Sequence, residues 1–386
     1  MQKLVSFIVI VFLFGCANEN QPNRVNNNVL SQTLIAADTL VIPAPFPSIP
    51  HTYCLQVLKI NNVKYLARKS DNTNSIELIN LKTKKIEEKW VYKLEGPDGI
   101  GDMNGFYILN RDTIFVGGLY RTWIKRSNSK GKIFKTISLD KNSVGKRSSI
   151  YRVESRISTR KPILKCGRDL FIPVDEWNSN KYEVTDEPVI FYAKYHIGAN
   201  YCSLVKLPFP KVYQGKIWGN FLMINSSVYN ERTEQIVFSF SLCNDLCTYD
   251  IEADSMTEHP NGYLNETFVT KKASDNYIRY VLKNPYFSQV LYDKYRNVYY
   301  RLYLEAIPEE RMKQVDLRIM HYAPATVYIY DSTFKVIGEK RLPVNKHFLF
   351  DYFVDEKGLY INNYHPAKEN IKEDEISYTL YKLTDM

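Results

Sequence analysis

The sequence contains few of the residues that commonly bind transition metals or carry out nucleophilic catalysis. Among its 386 residues there are only six histidines and six cysteines. The histidines are scattered and form neither an H-E-x-x-H nor an H-x-H motif; they are His51, His196, His259, His321, His347 and His365. A G-x-S-x-G nucleophile elbow is also missing from the sequence. We therefore predict no metal, no cofactor and no catalytic residue.

Cysteine is too scarce for a disulfide framework. Apart from Cys16, the sequence has Cys54, Cys166, Cys202, Cys243 and Cys247. Because five is an odd number, at least one thiol stays free. Cys243 and Cys247 bracket Asn-Asp-Leu, and a small disulfide between them across a hairpin is one interpretation in an oxidising compartment. The other interpretation is a pair of buried apolar thiols.

Long apolar runs are limited to the N-terminus. The run from Leu4 to Phe14 follows the single cation Lys3. It is too short to cross a bilayer core of about 30 Å, which needs roughly 20 apolar residues. A basic residue, a short apolar run and small residues behind it are typical of a secretory signal peptide, which we assign to residues 1–15.

The segment Leu13-Phe14-Gly15-Cys16 resembles the bacterial lipobox, although Phe14 is larger than the residue usual there. The resemblance implies that Cys16 carries the acyl chains of a lipoprotein, and two or more chains suffice for stable membrane attachment. No aspartate follows Cys16, which favours the outer membrane over the inner one, facing either the periplasm or the outside. Residues 16–30 are polar and Asn-rich, as expected of a flexible tether. The alternative is a secreted protein without an anchor.

Aromatic residues are abundant, with 30 tyrosines and 19 phenylalanines, and this composition favours sheet over helix. A turn residue followed by aromatic and β-branched residues recurs at intervals of 50 to 66 residues. These segments start at Asn62, Asp112, Asp169, Gln235, Asn297 and Gly358. Each is followed by a second, more alternating segment, which in four of the six units has the strand–turn–strand pattern of a hairpin, so that about four strands fit each unit. The pattern predicts an all-β fold, a six-bladed β-propeller.

The two chain ends complement each other. The last unit stops at "YTLYKLTDM" without a return strand, and Ser31–Pro43 reads as a strand that precedes the first unit. Because an unpaired edge strand favours aggregation, we expect the N-terminal strand to close the last blade. Residues 31–386 would then form one propeller domain. The alternatives are a seven-bladed ring with one degenerate blade and a pair of β-sandwiches.

Four segments of the chain stand out as a set: "EGPDGIGDMNGFYILNRDTIFV", "SKGKIFKTISL", "EQIVFSFSLCNDLCTYDIEA" and "RNVYYRLYLEA". Together they resemble an uncharacterised family of Bacteroidota lipoproteins, a domain of unknown function that is similar to the TolB-like six-bladed propellers. The resemblance covers nearly the whole chain behind the tether. It implies the propeller fold and the lipid anchor, and it implies no activity or catalytic residue.

Positive charge is concentrated in one region. The chain carries a formal net charge of +9, and from Arg121 to Arg168 there are fifteen lysines or arginines against two acidic residues. A region of this kind attracts anions. The candidate anion-binding residues are Arg121, Lys125, Arg126, Lys146, Arg147 and Arg152. The alternative is a solvated blade edge.

These patterns favour a non-enzymatic binding or scaffolding domain that is held at a bilayer through Cys16. Its expected partner is a protein or an anionic glycan, and nucleic acid is not expected in the cell envelope. A metal-assisted hydrolase or lactonase-like enzyme is the alternative. It would place inward-facing oxygen ligands around one ion on the propeller axis, with Asn225, Asp351 and Asn363 as candidates.

Overall fold

The computed structural model describes residues 30–45, 48–140, 151–178, 183–199, 201–218, 224–271, 276–309, 323–366 and 372–386. The predicted signal peptide, Cys16 and all of the predicted tether except residue 30 lie outside these ranges. Within them, no helix is long and apolar enough to cross a membrane. The regular secondary structure of the described residues is almost entirely β-strand, with a short α-helix, α1, at Tyr277–Lys283.

The first strand, β1, spans Gln32–Pro43. Two four-stranded antiparallel sheets follow, each with its strands in sequence order. The first sheet consists of β2 (Leu55–Ile60), β3 (Val63–Ser70), β4 (Ser75–Asn80) and β5 (Lys85–Val91). The second consists of β6 (Met103–Asn110), β7 (Thr113–Gly118), β8 (Trp123–Ser127) and β9 (Ile133–Ser138). The turn between β2 and β3 shows why the chain reverses there: Asn61 and Asn62 both have positive φ, as a two-residue hairpin turn requires.

The third sheet differs from the first two because its first strand is interrupted. Its strands are β10 (Tyr151–Ser155), β11 (Leu164–Cys166), β12 (Asp169–Asn178), β14 (Val189–His196) and β15 (Ser203–Leu207). β10 pairs with the second half of β12, and β11 pairs with the first half, so that residues 156–163 loop out between them. The short strands β13 (Glu183–Val184) and β16 (Lys216–Ile217) pair only with each other.

The fourth sheet is again a four-stranded meander. It consists of β17 (Asn225–Asn230), β18 (Gln235–Phe240), β19 (Leu246–Asp250) and β20 (Ser255–His259).

The remaining strands form one eight-stranded sheet. They are β21 (Tyr286–Asp293), β22 (Val298–Leu304), β23 (Ala325–Tyr330), β24 (Val336–Arg341), β25 (Phe348–Asp355), β26 (Gly358–Asn362) and β27 (Glu375–Asp385), together with β1. β1 runs antiparallel to β27, from Gln32 opposite Asp385 to Pro43 opposite Glu375. The predicted pairing of the N-terminal strand with the C-terminal strand is therefore confirmed.

The sheets are arranged like the blades of a propeller. β2 contacts β6 on one side and β25 on the other, β21 contacts β25 and β17, and β17 contacts β11. The ring continues from the second sheet to the third through Asn104, whose Nδ2 donates to the backbone oxygen of Ser155 over 2.8 Å. Large apolar clusters fill the spaces between neighbouring sheets. The predicted all-β, propeller-like fold is thus confirmed.

Candidate functional site

The loop that interrupts the first strand of the third sheet, Arg156–Ile163, lies across one end of the ring, and we call it the entrance loop. The backbone N–H of Thr159 donates to the carbonyl of Tyr53 over 2.6 Å. Ser226 Oγ donates to the carbonyl of Arg160 over 2.8 Å. Tyr53 precedes β2 and Ser226 stands at the start of β17. The loop therefore spans the end of the ring at which the first strands begin, and we call that end the ring entrance.

Two glycines allow the entrance loop to lie against the second sheet. A Cβ at Gly105 would lie 2.6 Å from Ile157 Cγ2 and 2.7 Å from the Ile157 backbone oxygen. A Cβ at Gly117 would lie 2.7 Å from Ile157 Cδ1. The backbone oxygen of Ile157 leaves no room for a side chain at Gly105, so glycine is needed there for this close approach. At Gly117 the nearest atom is the end of the Ile157 side chain, which is able to shift.

Two cations of the entrance loop share one carboxylate. Lys161 Nζ lies 2.9 Å from Asp175 Oδ1, and Arg156 Nε lies 3.0 Å from Asp175 Oδ2. Desolvation acts to raise the pKa of Asp175, but Lys161 and Arg156 outweigh it and hold that pKa below its ordinary value. Asp175 is consequently an anion that keeps both cations at the ring entrance.

A third cation of the loop, Arg160, is buried beneath it. Its Nη2 donates to Ser241 Oγ over 2.9 Å. Tyr286 and Tyr352 lie close enough to interact with it electrostatically. Burial lowers the pKa of Arg160, but a guanidinium remains charged even so. Burial also raises the pKa of Tyr286 to about 12, so this phenol is neutral. The centre of the entrance therefore holds a fixed positive charge.

Two of the predicted anion-binding residues lie close together after β7, with Arg121 in the turn between β7 and β8 and Lys125 on β8 itself. Lys125 Nζ lies 4.9 Å from the ring centroid of Trp123, and the guanidinium carbon of Arg121 lies 5.9 Å from it. Lys125 Nζ also donates to the carbonyl of Gly99 over 2.5 Å, and desolvation lowers the pKa of this lysine. The structure thus brings Arg121 and Lys125 together around one aromatic ring, as in cation–π pairs.

The same turn is joined to the entrance loop. The backbone N–H of Ser155 donates to the carbonyl of Arg121 over 3.1 Å. Tyr120 is 56% exposed, and its φ of 56° is uncommon for an aromatic residue. Its ring centroid lies 5.2 Å from the guanidinium carbon of Arg156. The turn and the loop consequently form one continuous basic and aromatic surface.

The described structure does not place the other predicted anion-binding residues on this surface. Arg126 follows Lys125 on β8, so its side chain leaves the opposite face of the sheet. Lys146 and Arg147 lie in residues 141–150, outside the described ranges. Arg152 pairs with Trp177 through the backbone of β10, and its side chain is also outside the description.

An aromatic cluster lies beside the loop on the first and last sheets. The rings of His51 and Tyr364 stack with centroids 4.3 Å apart, and Phe348 lies 4.2 Å from His51. Tyr53, which is 43% exposed, packs edge-on against Phe348 at 5.2 Å. Sequence reasoning missed this cluster because its members lie about 300 positions apart and only the ring closure unites them.

Cys243 and Cys247 are free thiols in the structure, as are the three other described cysteines. The Cys247 thiol donates a hydrogen bond to the Cys243 sulfur, which lowers the pKa of Cys243 and raises that of Cys247. Both side chains are buried. The disulfide between them therefore stays a prediction.

Two of the three residues suggested for a hydrolase site, Asp351 and Asn363, are held by hydrogen bonds within the protein. Asp351 Oδ2 accepts hydrogen bonds from the Thr52 N–H and from Asn362 Nδ2, and Asp351 Oδ1 accepts one from the Tyr378 hydroxyl. Asn363 Oδ1 accepts a hydrogen bond from Thr379 Oγ1. Since both oxygens of the carboxylate are held by protein donors, this geometry gives no support to Asp351 as a metal ligand.

Comparison with known proteins agrees with this fold. A member of the DUF4221 family from Bacteroides vulgatus ATCC 8482 has a solved structure with a TM-score of 0.79 and 17% sequence identity, and the match covers 92% of this chain and 99% of that one. A protein of Bacteroides fragilis NCTC 9343, named "Putative exported protein", matches with a TM-score of 0.52 and 10% identity over 93% of this chain and 97% of that one. At these identities the likeness shows the fold alone.

No curated protein matches the chain. The family model described as a domain of unknown function (DUF4221) matches residues 27–341. That match covers well over half of the sequence, and the chain therefore belongs to the DUF4221 family.

Proposed function

We propose that this chain is a membrane-anchored lipoprotein whose propeller-like domain binds an anionic glycan at the ring entrance. The observation that carries the proposal is the convergence of cations and exposed aromatic rings at one end of the ring. Arg156 and Lys161 come from the entrance loop, Arg121 comes from the β7–β8 turn, and Tyr53 and Tyr120 are exposed beside them.

An anionic sugar offers both features that this surface matches. Its carboxylate, sulfate or phosphate groups pair with guanidinium and ammonium groups, and arginine binds such groups in a planar, two-point fashion. The apolar faces of sugar rings pack on aromatic side chains, which bury much surface in a fixed geometry. An acidic protein surface would use the cations but would leave the aromatic cluster without a specific role.

The membrane anchor rests on the sequence around Cys16 and on the position of the domain. The lipobox-like segment precedes Cys16, and the described fold begins at residue 30 after a polar tether. A similar protein of Bacteroides fragilis is named as exported, in the words given above. Acylation of Cys16 would hold the domain at the outer membrane, facing the periplasm or the outside. Cys16→Ser should release the chain from the membrane fraction, and a variant that stays bound would disprove the anchor.

We further assign six blades to the propeller. The halves of the eight-stranded sheet, β21 to β24 and β25 to β1, meet at a single parallel pair, Gln32 opposite Gly338. This weak junction supports counting each half as one blade beside the four smaller sheets. In that count β1 is the outermost strand of the last blade.

The binding proposal is tested with the full chain in detergent, using heparin as the sulfated probe and dextran as the neutral one. Calorimetric titration should show heparin binding that weakens with salt, since the contacts are partly exposed. Charged hydrogen bonds are worth about 1.5–3 kcal/mol each, so the double substitution Arg156→Gln with Lys161→Gln should weaken binding at least about tenfold.

Lys206→Gln provides the matched control because Lys206 is an exposed lysine on the outer strand of the same sheet. It should leave heparin affinity unchanged. The glycan site would be disproved if dextran bound as tightly as heparin. It would also be disproved if the double variant and the Lys206→Gln control lost the same amount of heparin affinity. Binding of acidic proteins but of no polysaccharide would also disprove it.

A further inference from the structure

A second group of polar side chains lies at the turn between β18 and β19, on the later strands of the fourth sheet. One ligand atom each from Cys243, Asp245 and Glu258 lies within 4.8 Å of the other two. Cys243 and Asp245 belong to the turn, and Glu258 is brought to it by β20, where it stands opposite Cys247 of β19. Among the residues that the structure describes, this is the one cluster of histidine, cysteine and acidic side chains with metal-binding dimensions.

Both carboxylates of the cluster are oriented by hydrogen bonds to one of their two oxygens. Asp245 Oδ1 accepts the backbone N–H and the Nδ2 of Asn261, each over 3.2 Å. Glu258 Oε1 accepts the backbone N–H of Lys211 over 3.2 Å. Such second-shell bonds fix a ligating carboxylate while leaving its other oxygen for an ion.

Arg301 holds the turn in place through hydrogen bonds to its backbone carbonyls. This fully buried guanidinium donates to the carbonyl of Cys243 over 2.6 Å and to that of Asn244 over 2.5 Å. With Cys243 ionised, the cluster carries three negative charges, from one thiolate and two carboxylates. Arg301 supplies one positive charge, and a divalent cation supplies the two that remain. A divalent ion therefore neutralises the group, which would otherwise concentrate negative charge at a mostly buried position.

We propose that Cys243, Asp245 and Glu258 bind one zinc ion. A thiolate excludes hard ions such as Ca²⁺ and Mg²⁺, which take oxygen ligands, and a mixed sulfur and oxygen set suits Zn²⁺. Tetrahedral zinc bonds of about 2.0–2.3 Å place ligand atoms roughly 3.3–3.8 Å from one another. The three ligand atoms lie within 4.8 Å of one another here, so zinc binding requires these distances to shorten by little more than about 1 Å. Binding displaces the thiol proton of Cys243 to solvent as the sulfur–zinc bond forms.

Cys247 has a different part in this site. Its sulfur contacts Cys243 through a hydrogen bond but lies outside the three-residue group. In the zinc-bound form the Cys247 thiol donates to the Cys243 thiolate and orients it. Disulfide formation would instead join the two sulfurs and remove the thiolate. Zinc binding and disulfide formation are therefore mutually exclusive. A disulfide requires the Cys247 sulfur, whereas zinc binding requires only a hydrogen-bond donor at that position.

The zinc site would brace the turn that supports the ring entrance, because Ser241 at the start of this turn accepts the hydrogen bond from Arg160. It lies on the later strands of its sheet and away from the first strands. It is therefore distinct from an axial hydrolase site and does not depend on glycan binding.

The test uses the full chain, reduced with a phosphine and freed of chelator, and measures zinc by competition with a chromogenic chelator. We expect one zinc per chain. Cys243→Ser should weaken binding by more than about 100-fold, because loss of outer-shell partners alone costs roughly 10–100-fold. Cys247→Ser retains a hydrogen-bond donor and should weaken binding less than about tenfold. Cobalt bound at the same site should show a thiolate charge-transfer band that Cys243→Ser abolishes.

Cys202→Ser, which removes another buried thiol, is the matched control and should bind zinc like the parent chain. If Cys243→Ser does not fold by circular dichroism, Asp245→Asn and Glu258→Gln replace it, and each should weaken zinc binding at least about tenfold. Zinc binding well below one per chain, or binding that survives loss of Cys243, would overturn the proposal. The proposal would also be overturned if the protein isolated from the cell envelope contained a disulfide between Cys243 and Cys247, which lowers its mass by two hydrogens.

Discussion

Asp351 is the residue with the clearest expected pH dependence. Burial raises its pKa to about 7, although Arg68, Tyr378, Thr52 and Asn362 favour the ionised form and oppose this shift. The residue connects the segment before β2 to the last strands, since Thr52 and Asn362 both donate to it. The carboxyl group is thus protonated more readily in the folded chain than in the unfolded one.

The first prediction follows from this raised pKa. Because the pKa of Asp351 in the folded chain lies above the ordinary aspartate value of about 3.9, protonation of Asp351 stabilises the fold, fully below about pH 4, and this contribution is lost as the pH rises through about 7. The loss amounts to at most about 4 kcal/mol, at about 1.4 kcal/mol per pKa unit. Urea unfolding between pH 4 and 8 should show a smaller fall in unfolding free energy for Asp351→Asn than for the parent chain. Identical pH profiles would show that Asp351 does not titrate in this range.

The second prediction concerns Gly105. Gly105→Ala places a Cβ against Ile157 Cγ2 and the Ile157 carbonyl, which forces the entrance loop away from β6. We expect a loss of about 1–3 kcal/mol in unfolding free energy, as for other overpacked sites, and faster amide exchange in residues 156–163. Adding Ile157→Ala removes the side-chain part of the clash and should recover part of the stability. Unchanged exchange in the loop would contradict its proposed packing.

At the residue scale the sequence predicted only part of the site. Arg121 and Lys125 stood out because charge was concentrated there, and they do meet at Trp123. The neighbouring Arg126 was grouped with them because a charge count ignores the alternation of faces along a strand. Of the two carboxylates near Cys243, Asp245 stands beside it in the sequence, whereas Glu258 gave no signal because it reaches the turn only through the pairing of β19 with β20.

Among the elements, β1 has the clearest structural role. It covers the edge of β27 along nearly its full length, and it buries Leu34 completely while Ile35 next to it stays 50% exposed. Its pairing was predictable because the last repeat lacked a strand and the N-terminus offered one. The split first strand of the third sheet was not predictable, because an insertion inside a strand looks in sequence like any long connection.

The third prediction tests the role of β1. Leu34→Ala should lower the free energy of unfolding by about 2–5 kcal/mol, the range for a fully buried leucine. Ile35→Ala, on the exposed face of the same strand, should change it by no more than about 0.5 kcal/mol. Urea unfolding followed by tryptophan fluorescence measures both variants. Equal effects would mean that β1 does not pack as a closing strand.

For the whole molecule, the ring was easier to predict from the sequence than the surface at the ring entrance. The repeat spacing predicted the propeller-like ring, and contacts between neighbouring first strands agree with it. The basic region was visible in the sequence, but its meeting with the aromatic cluster beside Tyr53 depends on ring closure and on a loop that crosses the entrance. The sequence alone therefore indicated that the chain has a basic surface, and it did not indicate where on the ring that surface lies.

The most direct test of the proposed binding site is hydrogen–deuterium exchange of the full chain with and without a heparin-derived oligosaccharide. We predict protection in residues 119–123 and 156–163, at the ring entrance. The turn at residues 81–84, between β4 and β5 at the other end of the ring, should not change. Protection at that distant turn, or no protection anywhere under saturating oligosaccharide, would contradict glycan binding at the ring entrance.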